Sequence, residues 1–481
     1  MGVGMLNRFI KGIAKYFYVT GVIFHWLVLA VFIIGVIAAV HTYNRYDLPP
    51  QVFLERASIS LQSHKSPLFN VLAKPVGYLT TFVSTEETGK RYTFELNNGL
   101  IGAHASVEKH QSLLRQNQIY VKTSEELLAA ISVAKAGDDI IIMPGDYRIK
   151  RGRIHLDANG EQNKPIRLRA QRFGSVKLLL DSFEGFLIKG NHWHLENLQI
   201  IGTCSSHRMC EHAVHIVGAS GVEIRNNLLS NFNSTIKANG VGDSANRRYP
   251  DNAIIENNTL TNDSARKTIS AVTHIDVVAG NNWQIRKNIL LNNSKQGSDY
   301  TSYAAFIKGD AKSGVFEQNI VDCEHSLPND GSTRIGLSFG GGGTGESYCR
   351  DGLCEREHSD GTMRNNLILN CSQDVGIYIN KGFNTLIHNN TVLNSLGVDI
   401  RFTQSSARVF NNHIDGSVRS RDGARVEEDN NQVSHELTAI KRHLSQYDTD
   451  LCGYSRTKFS PVGALTEKCL AQLKLQIENA K

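Results

Sequence analysis

Val222-Glu223-Ile224-Arg225-Asn226-Asn227-Leu228-Leu229-Ser230-Asn231 is one copy of a phrase that recurs down the chain. Residues 254–262 (IIENNTLTN), 284–293 (QIRKNILLNN) and 315–323 (VFEQNIVDC) repeat it. So do 363–371 (MRNNLILNC), 386–394 (LIHNNTVLN) and 408–416 (RVFNNHIDG). Each copy sets an apolar residue three positions before a fixed asparagine: Asn227, Asn258, Asn288, Asn319, Asn366, Asn390 and Asn412. These asparagines step by 31, 30, 31, 47, 24 and 22 residues. Such a period belongs to stacked repeats. The unit alternates Val, Ile and Leu and breaks at Gly, Asn and Asp, which is strand-and-turn chemistry with no stretch of helical periodicity. The pattern predicts an all-β chain: a right-handed parallel β-helix over residues 119–415. Coils about 4.8 Å apart would stack apolar positions into a core. The asparagines would stack into an inward amide ladder at a tight turn, each tolerating a left-handed backbone.

Outside the repeat, residues 16–44 contain no Asp, Glu, Lys or Arg, and Val19–Val40 is long enough to cross a bilayer. Arg8, Lys11 and Lys15 precede it, while Arg45 and Asp47 follow. This bias predicts a cytoplasmic stretch 1–15, a signal anchor 16–44 in the inner membrane, and everything beyond in the periplasm or outside the cell. A signal peptide cleaved after Val36-Ile37-Ala38 is the rival reading. Residues 45–118 read as a linker and lead-in. The formal net charge of +6 and the lack of any recognition motif argue against nucleic acid as a partner.

The eight cysteines fit disulfides on the outer side of a membrane. Cys323 and Cys371 follow the fixed asparagines of consecutive coils at nearly the same offset, so stacking predicts that they pair. Cys204 with Cys210 and Cys349 with Cys354 would close small loops. Cys452 with Cys469 would staple a C-terminal cap, residues 416–481, that contains a helix over 436–445 and covers the far end. For Cys349, Cys354 and His358 a zinc site is the alternative.

Thr123 and Glu126 form a capping box for a helix running to about residue 136, which would cover the open edge of the first coil. The long step between Asn319 and Asn366 comes from a polar, glycine-rich insertion, residues 340–361, and such loops carry function on rigid scaffolds. Strands ahead of the asparagines put polar side chains on their solvent face: His215, His274, Asp276, Lys308, Ser338, Tyr378, Asn380 and Arg401. At strand spacing these form a single column along a track of roughly 24 Å, the length of a short oligosaccharide. A lysine among cations is held below its ordinary pKa, as a general base requires.

Gly137, Asp138, Pro144, Gly145 and Tyr147 resemble the opening of β-helices of the pectate-lyase-like superfamily. Phe306-Ile307-Lys308-Gly309 followed by Ser313–Asn319 resembles polysaccharide lyases of the chondroitinase B and alginate lyase type. In that family a strand lysine so placed removes the proton α to a uronate carboxyl, and Lys308 matches it. The family's calcium-binding acids would stand at Thr301 and Tyr303 and are not matched, so no cofactor or metal is expected, with calcium the one alternative. The family's Arg-His-Gly is also missing, the strand reading Leu337-Ser338-Phe339-Gly340.

The resemblance implies an acidic polysaccharide as partner, with a lyase or C5-epimerase reaction. Lys308 would be the base, His274 a general acid or second base, and Asp276 its orienting partner. Arg401 and Arg334 would bind the carboxylate, with Arg350 a further candidate and His215, Ser338, Tyr378 and Asn380 lining the sugar track. A non-catalytic glycan-binding module is the alternative. A glycoside hydrolase would need a carboxylate partner for Asp276, from Asp351, Glu355 or Glu357 of the insertion.

Overall fold

The computed structural model describes residues 117–433 apart from 151, 244–245 and 342, residues 449–479 apart from 458–459, and shorter stretches before residue 105. The chain divides into two units, Met1–Thr88 and Gly89–Lys481. In the first, the helix Thr20–Ile37 is apolar and long enough to cross a membrane. Arg8, Lys11, Arg45, Asp47 and Ala38, on which its orientation and cleavage were argued, lie outside the described residues.

The second unit is a parallel β-helix of three sheets with 10, 11 and 12 strands. One sheet carries the asparagine phrase on strands such as Glu223–Arg225 and Gln284–Arg286. A tight turn leads to the next sheet, for example Leu228–Ser230 and Ile289–Leu291. The third, the groove sheet, includes Ser234–Asn239, Val272–Val278 and Thr301–Lys308. Registered positions stack. Ile224, Ile255, Ile285, Phe316, Met363 and Ile387 form one inward column. Ala238, Val277, Ile307, Phe339 and Ile379 form another, and all eleven side chains are buried.

The amide ladder is present. Each fixed asparagine donates from Nδ2 to Oδ1 of the next at 2.9–3.1 Å, from Asn227 down to Asn412. An eighth rung, Asn431, follows. The left-handed residue is not the ladder asparagine but the one before it: Asn226, Asn257, Lys287, Gln318 and Asn365 have φ of 54–56°. The ladder residue spends its side chain inward, so the left-handed turn falls on the residue before it.

Three boundaries differ from the sequence reading. The capping helix is Ser124–Ser132, shorter than expected, with Thr123 Oγ1 accepting from the Glu126 amide. The solenoid does not end at 415, since Ser417–Arg421, Arg425–Asp429 and Gln432–Val433 extend the three sheets. Residues 449–479 also do not cap the far end. They lie along the flank, where Leu451, Leu465 and Leu473 bury Ile320, Leu367 and Leu393. Lys90–Thr93 of the supposed linker pairs antiparallel with Gln476–Asn479, so part of the lead-in belongs to this clamp. The physical reason is an outward column that is apolar in these coils and needs cover. The helix expected over 436–445 lies outside the described residues.

All four disulfides form: Cys204–Cys210, Cys323–Cys371, Cys349–Cys354 and Cys452–Cys469. The Cα atoms of Cys323 and Cys371 are 5.0 Å apart, the spacing of stacked coils. Cys349–Cys354 replaces the zinc alternative. His358 is buried and stacked on Phe339, 4.0 Å between ring centroids.

Candidate functional site

The register resolves the expected single column into two. In one, His215, Lys237, Asp276, Phe306, Ser338, Tyr378 and Asp399 pair successively across neighbouring strands. The second lies two residues further on and contains Val278 beside Lys308, then Asn380, Arg401 and Arg421. Lys308 ends its strand, one column across from Asp276.

The Lys308 ammonium lies over the Phe306 ring, 4.6 Å from its centroid. Burial lowers its pKa most. Asp276 and Glu357 oppose that shift, and Lys237 adds to it. The expectation of a depressed lysine therefore holds in direction, but desolvation outweighs the cationic neighbour. Gly341 packs beside the lysine: a Cβ there would stand 3.6 Å from Lys308 Cδ, an ordinary contact.

The insertion is a stapled wall rather than a free loop. Arg350 forks onto both oxygens of Asp251 at 2.6 and 3.0 Å and donates to the Ala279 carbonyl. It also stacks over Tyr249. Arg247 holds the carbonyls of Ser347 and Cys349. Glu357 accepts the Gly309 amide at 2.8 Å, immediately after the lysine. Arg350 is thus engaged in fixing the wall, and the insertion's cysteines are joined across it.

Other candidates are redistributed. His274 is fully buried and bonds the Leu291 carbonyl through Nε2 at 2.7 Å, and burial pushes its pKa down to about 4. Asp276 does not orient it; that carboxylate is held by Lys237 at 2.7 Å. Arg334 is buried, and all five of its N–H donors are spent on Ser332, Cys323, Leu327, Pro328 and Asp330. It organises the turn 323–332 and is withdrawn from the groove. Ser338 is buried, its hydroxyl donating to the Gly340 carbonyl. Tyr378, Asn380 and Arg401 do come together. Asn380 donates to the Tyr378 oxygen at 3.1 Å, and Arg401, close to the same phenol, bonds Asp422. His215 stands at the other end, bonded to Asn239.

The calcium positions do not fit that ion. Tyr303 packs edge-on against Phe306, and the Thr301 hydroxyl donates to the Asp299 carbonyl. Neither presents a carboxylate.

Lys237, Asp399 and Arg421 escaped the sequence reading. The strand Ser234–Asn239 precedes Asn258 just as Thr301–Lys308 precedes Asn319, and one such strand for every asparagine is the signal that would have found Lys237.

The family model of chondroitinase B matches residues 121–427, and the chain belongs to that family. Among solved structures, the alginate lyase from Paenibacillus sp. str. FPU-7 is 16% identical, with a TM-score of 0.38; the match covers 66% of this chain and 99% of that one. The PL6 family alginate lyase AlyGC is 15% identical, with a TM-score of 0.35, over 72% of this chain and 57% of that one. The GH136 lacto-N-biosidase from Eubacterium ramulus is 13% identical, with a TM-score of 0.45, over 66% and 67%. No curated protein matches the chain.

Proposed function

We propose that this protein acts on an acidic polysaccharide by removing the proton α to a uronate carboxylate, with Lys308 as the base. The observation that carries this reading is the Lys308 amine itself. It lies at the groove over Phe306, and burial holds it below its ordinary pKa, so more of it is neutral. Lys237, paired to Asp276, supplies positive charge toward the substrate carboxylate. Tyr378, Asn380 and Arg401 bind sugar further along.

Elimination is favoured over epimerisation. In elimination Lys308 takes the C5 proton, the electron pair forms the C4–C5 double bond, and the C4–O bond breaks. The leaving oxygen then takes up the proton that the lysine carries. Epimerisation needs a second acid on the opposite face, and His274, the candidate for it, is buried against Leu291. A binding-only reading rests on the mutual pairing of groove charges, Lys237 with Asp276 and Arg421 with Asp399, which leaves less free charge for chemistry.

The helix Thr20–Ile37 would anchor the protein with its β-helix outside the cytoplasm, in keeping with four disulfides. The test is incubation of the full chain with uronate polymers, followed by the ultraviolet absorbance of unsaturated uronate. Lys308→Ala and Lys308→Arg should each lose at least about 100-fold in rate with the fold intact. Folded wild-type protein inert on every polymer, with no solvent exchange at C5, would leave glycan binding as the function.

A further inference from the structure

Three strands before Lys308, at the other end of the groove, the amides of Glu211 and His212 both donate to the Phe183 carbonyl. His212 and His215, three residues apart on the strand that follows, come together with ring centroids 5.0 Å apart. Glu184, paired in register with His212, completes a cluster whose three ligand atoms lie within 4.8 Å of one another.

The surroundings fix which atom each residue offers. His212 Nδ1 faces the Ser234 carbonyl at 2.8 Å, and a carbonyl only accepts, so Nδ1 carries the proton and Nε2 keeps its lone pair. Asn239 donates its amide N–H to Gly240, which turns its oxygen toward His215 Nε2 at 2.6 Å. That nitrogen is therefore the donor, and Nδ1 keeps the lone pair. Glu184 gives one oxygen to Arg153 at 2.5 Å and turns the other to His215 Nδ1. His215 Nδ1 is buried without a hydrogen-bond partner, 3.4 Å from that carboxylate oxygen. Two lone pairs facing each other at this distance repel, and a cation between them reverses the sign. Ligands about 2.0–2.1 Å from a tetrahedral ion stand about 3.3–3.4 Å from one another. Imidazoles whose second nitrogen is tied to a carbonyl or amide oxygen are the usual supports of such ions.

We propose that Glu184, His212 and His215 hold a divalent transition-metal ion of the zinc class, with an open coordination position. Glu184 also lines a cleft of about 600 Å³ with Arg153, His155 and Asp181, which brings solvent up to one edge of the cluster. Three strand spacings, about 14 Å, separate this site from the strand of Lys308, so the ion takes no part in proton transfer there. The proposal stands or falls independently of the lyase reading.

The test is direct binding. The full chain, purified in detergent and stripped with a chelator, is titrated with Zn²⁺ by calorimetry and with Co²⁺ by visible absorption. The expected result is one equivalent bound, with the intense d–d bands of a low-coordinate cobalt site and a zinc-dependent rise in unfolding temperature. Glu184→Gln and His212→Ala should each weaken zinc binding by more than about 100-fold. If His212→Ala does not fold, Glu184→Gln alone decides. Folded wild-type protein that binds neither ion overturns the proposal. Zinc bound equally well by Glu184→Gln overturns it too, placing the ion elsewhere.

Discussion

The Lys237 ammonium and the Asp276 carboxylate meet at 2.7 Å across neighbouring strands, and both act on Lys308. Asp276 favours the charged lysine and Lys237 disfavours it. In Asp276→Asn both influences point the same way: the attraction is gone and the Lys237 charge is uncompensated. The Lys308 pKa should fall further. The acid limb of kcat/KM against pH on a uronate polymer should therefore shift to lower pH than in the wild type, whose own limb lies below the ordinary lysine value. An unmoved limb would mean that another group titrates.

His274 makes folding sensitive to acid. Its pKa is about 4 in the folded chain and 6.5 when exposed, because burial disfavours the cation. The unfolded chain thus binds the extra proton first as pH drops. The contribution is fully present above pH 6.5 and is lost as pH falls through about 4. Its size is on the order of 3 kcal/mol. His274→Gln should flatten the fall in unfolding temperature over that window. Retained turnover in this variant would also separate a structural histidine from a catalytic one.

Substituting ladder residues should grade with position. Asn288 accepts from Asn258 and donates to Asn319 and the Ile255 carbonyl, all buried. Asn288→Ala leaves several of these groups unpaired and should cost about 3–5 kcal/mol in urea unfolding. Asn431 has one ladder neighbour, and Asn431→Ala should cost about 1–2 kcal/mol.

The disulfides should separate stability from activity. Cys323–Cys371 spans 48 residues and Cys349–Cys354 only five. Chain entropy gives about 4 kcal/mol for the first and about 2 kcal/mol for the second. Replacing both cysteines of the long pair by serine should mainly lower the unfolding temperature. The same change in the insertion should mainly alter KM, because the wall beside Lys308 loosens.

The repeat was legible because it is written in residue types that only one packing satisfies: an apolar residue, a turn residue, then an amide. Lys308 was legible for a related reason, since its neighbours on both sides keep that phrase. Arg334 and His274 misled because alternation along a strand says which face a side chain leaves from, not how far it bends. Arg334 turns back onto five acceptors of its own loop, and His274 reaches the Leu291 carbonyl. The offset between Asp276 and Lys308 depends on strand register, which loops of different length conceal. The clamp of 449–479 was hidden because a short apolar segment does not reveal which surface it will cover.

The antiparallel pairing of Lys90–Thr93 with Gln476–Asn479 joins the first strand of this unit to its last. During synthesis the early strand emerges long before its mate exists, and the coils between can stack while it waits. Only a chain translated past Asn479 supplies the partner and shields Tyr92, which is buried in the clamp. A copy cut short before Gln476 would present an open strand edge and an apolar flank, the marks by which proteases and chaperones recognise unfinished protein. Synthesis of this strand is thus registered by the fold itself.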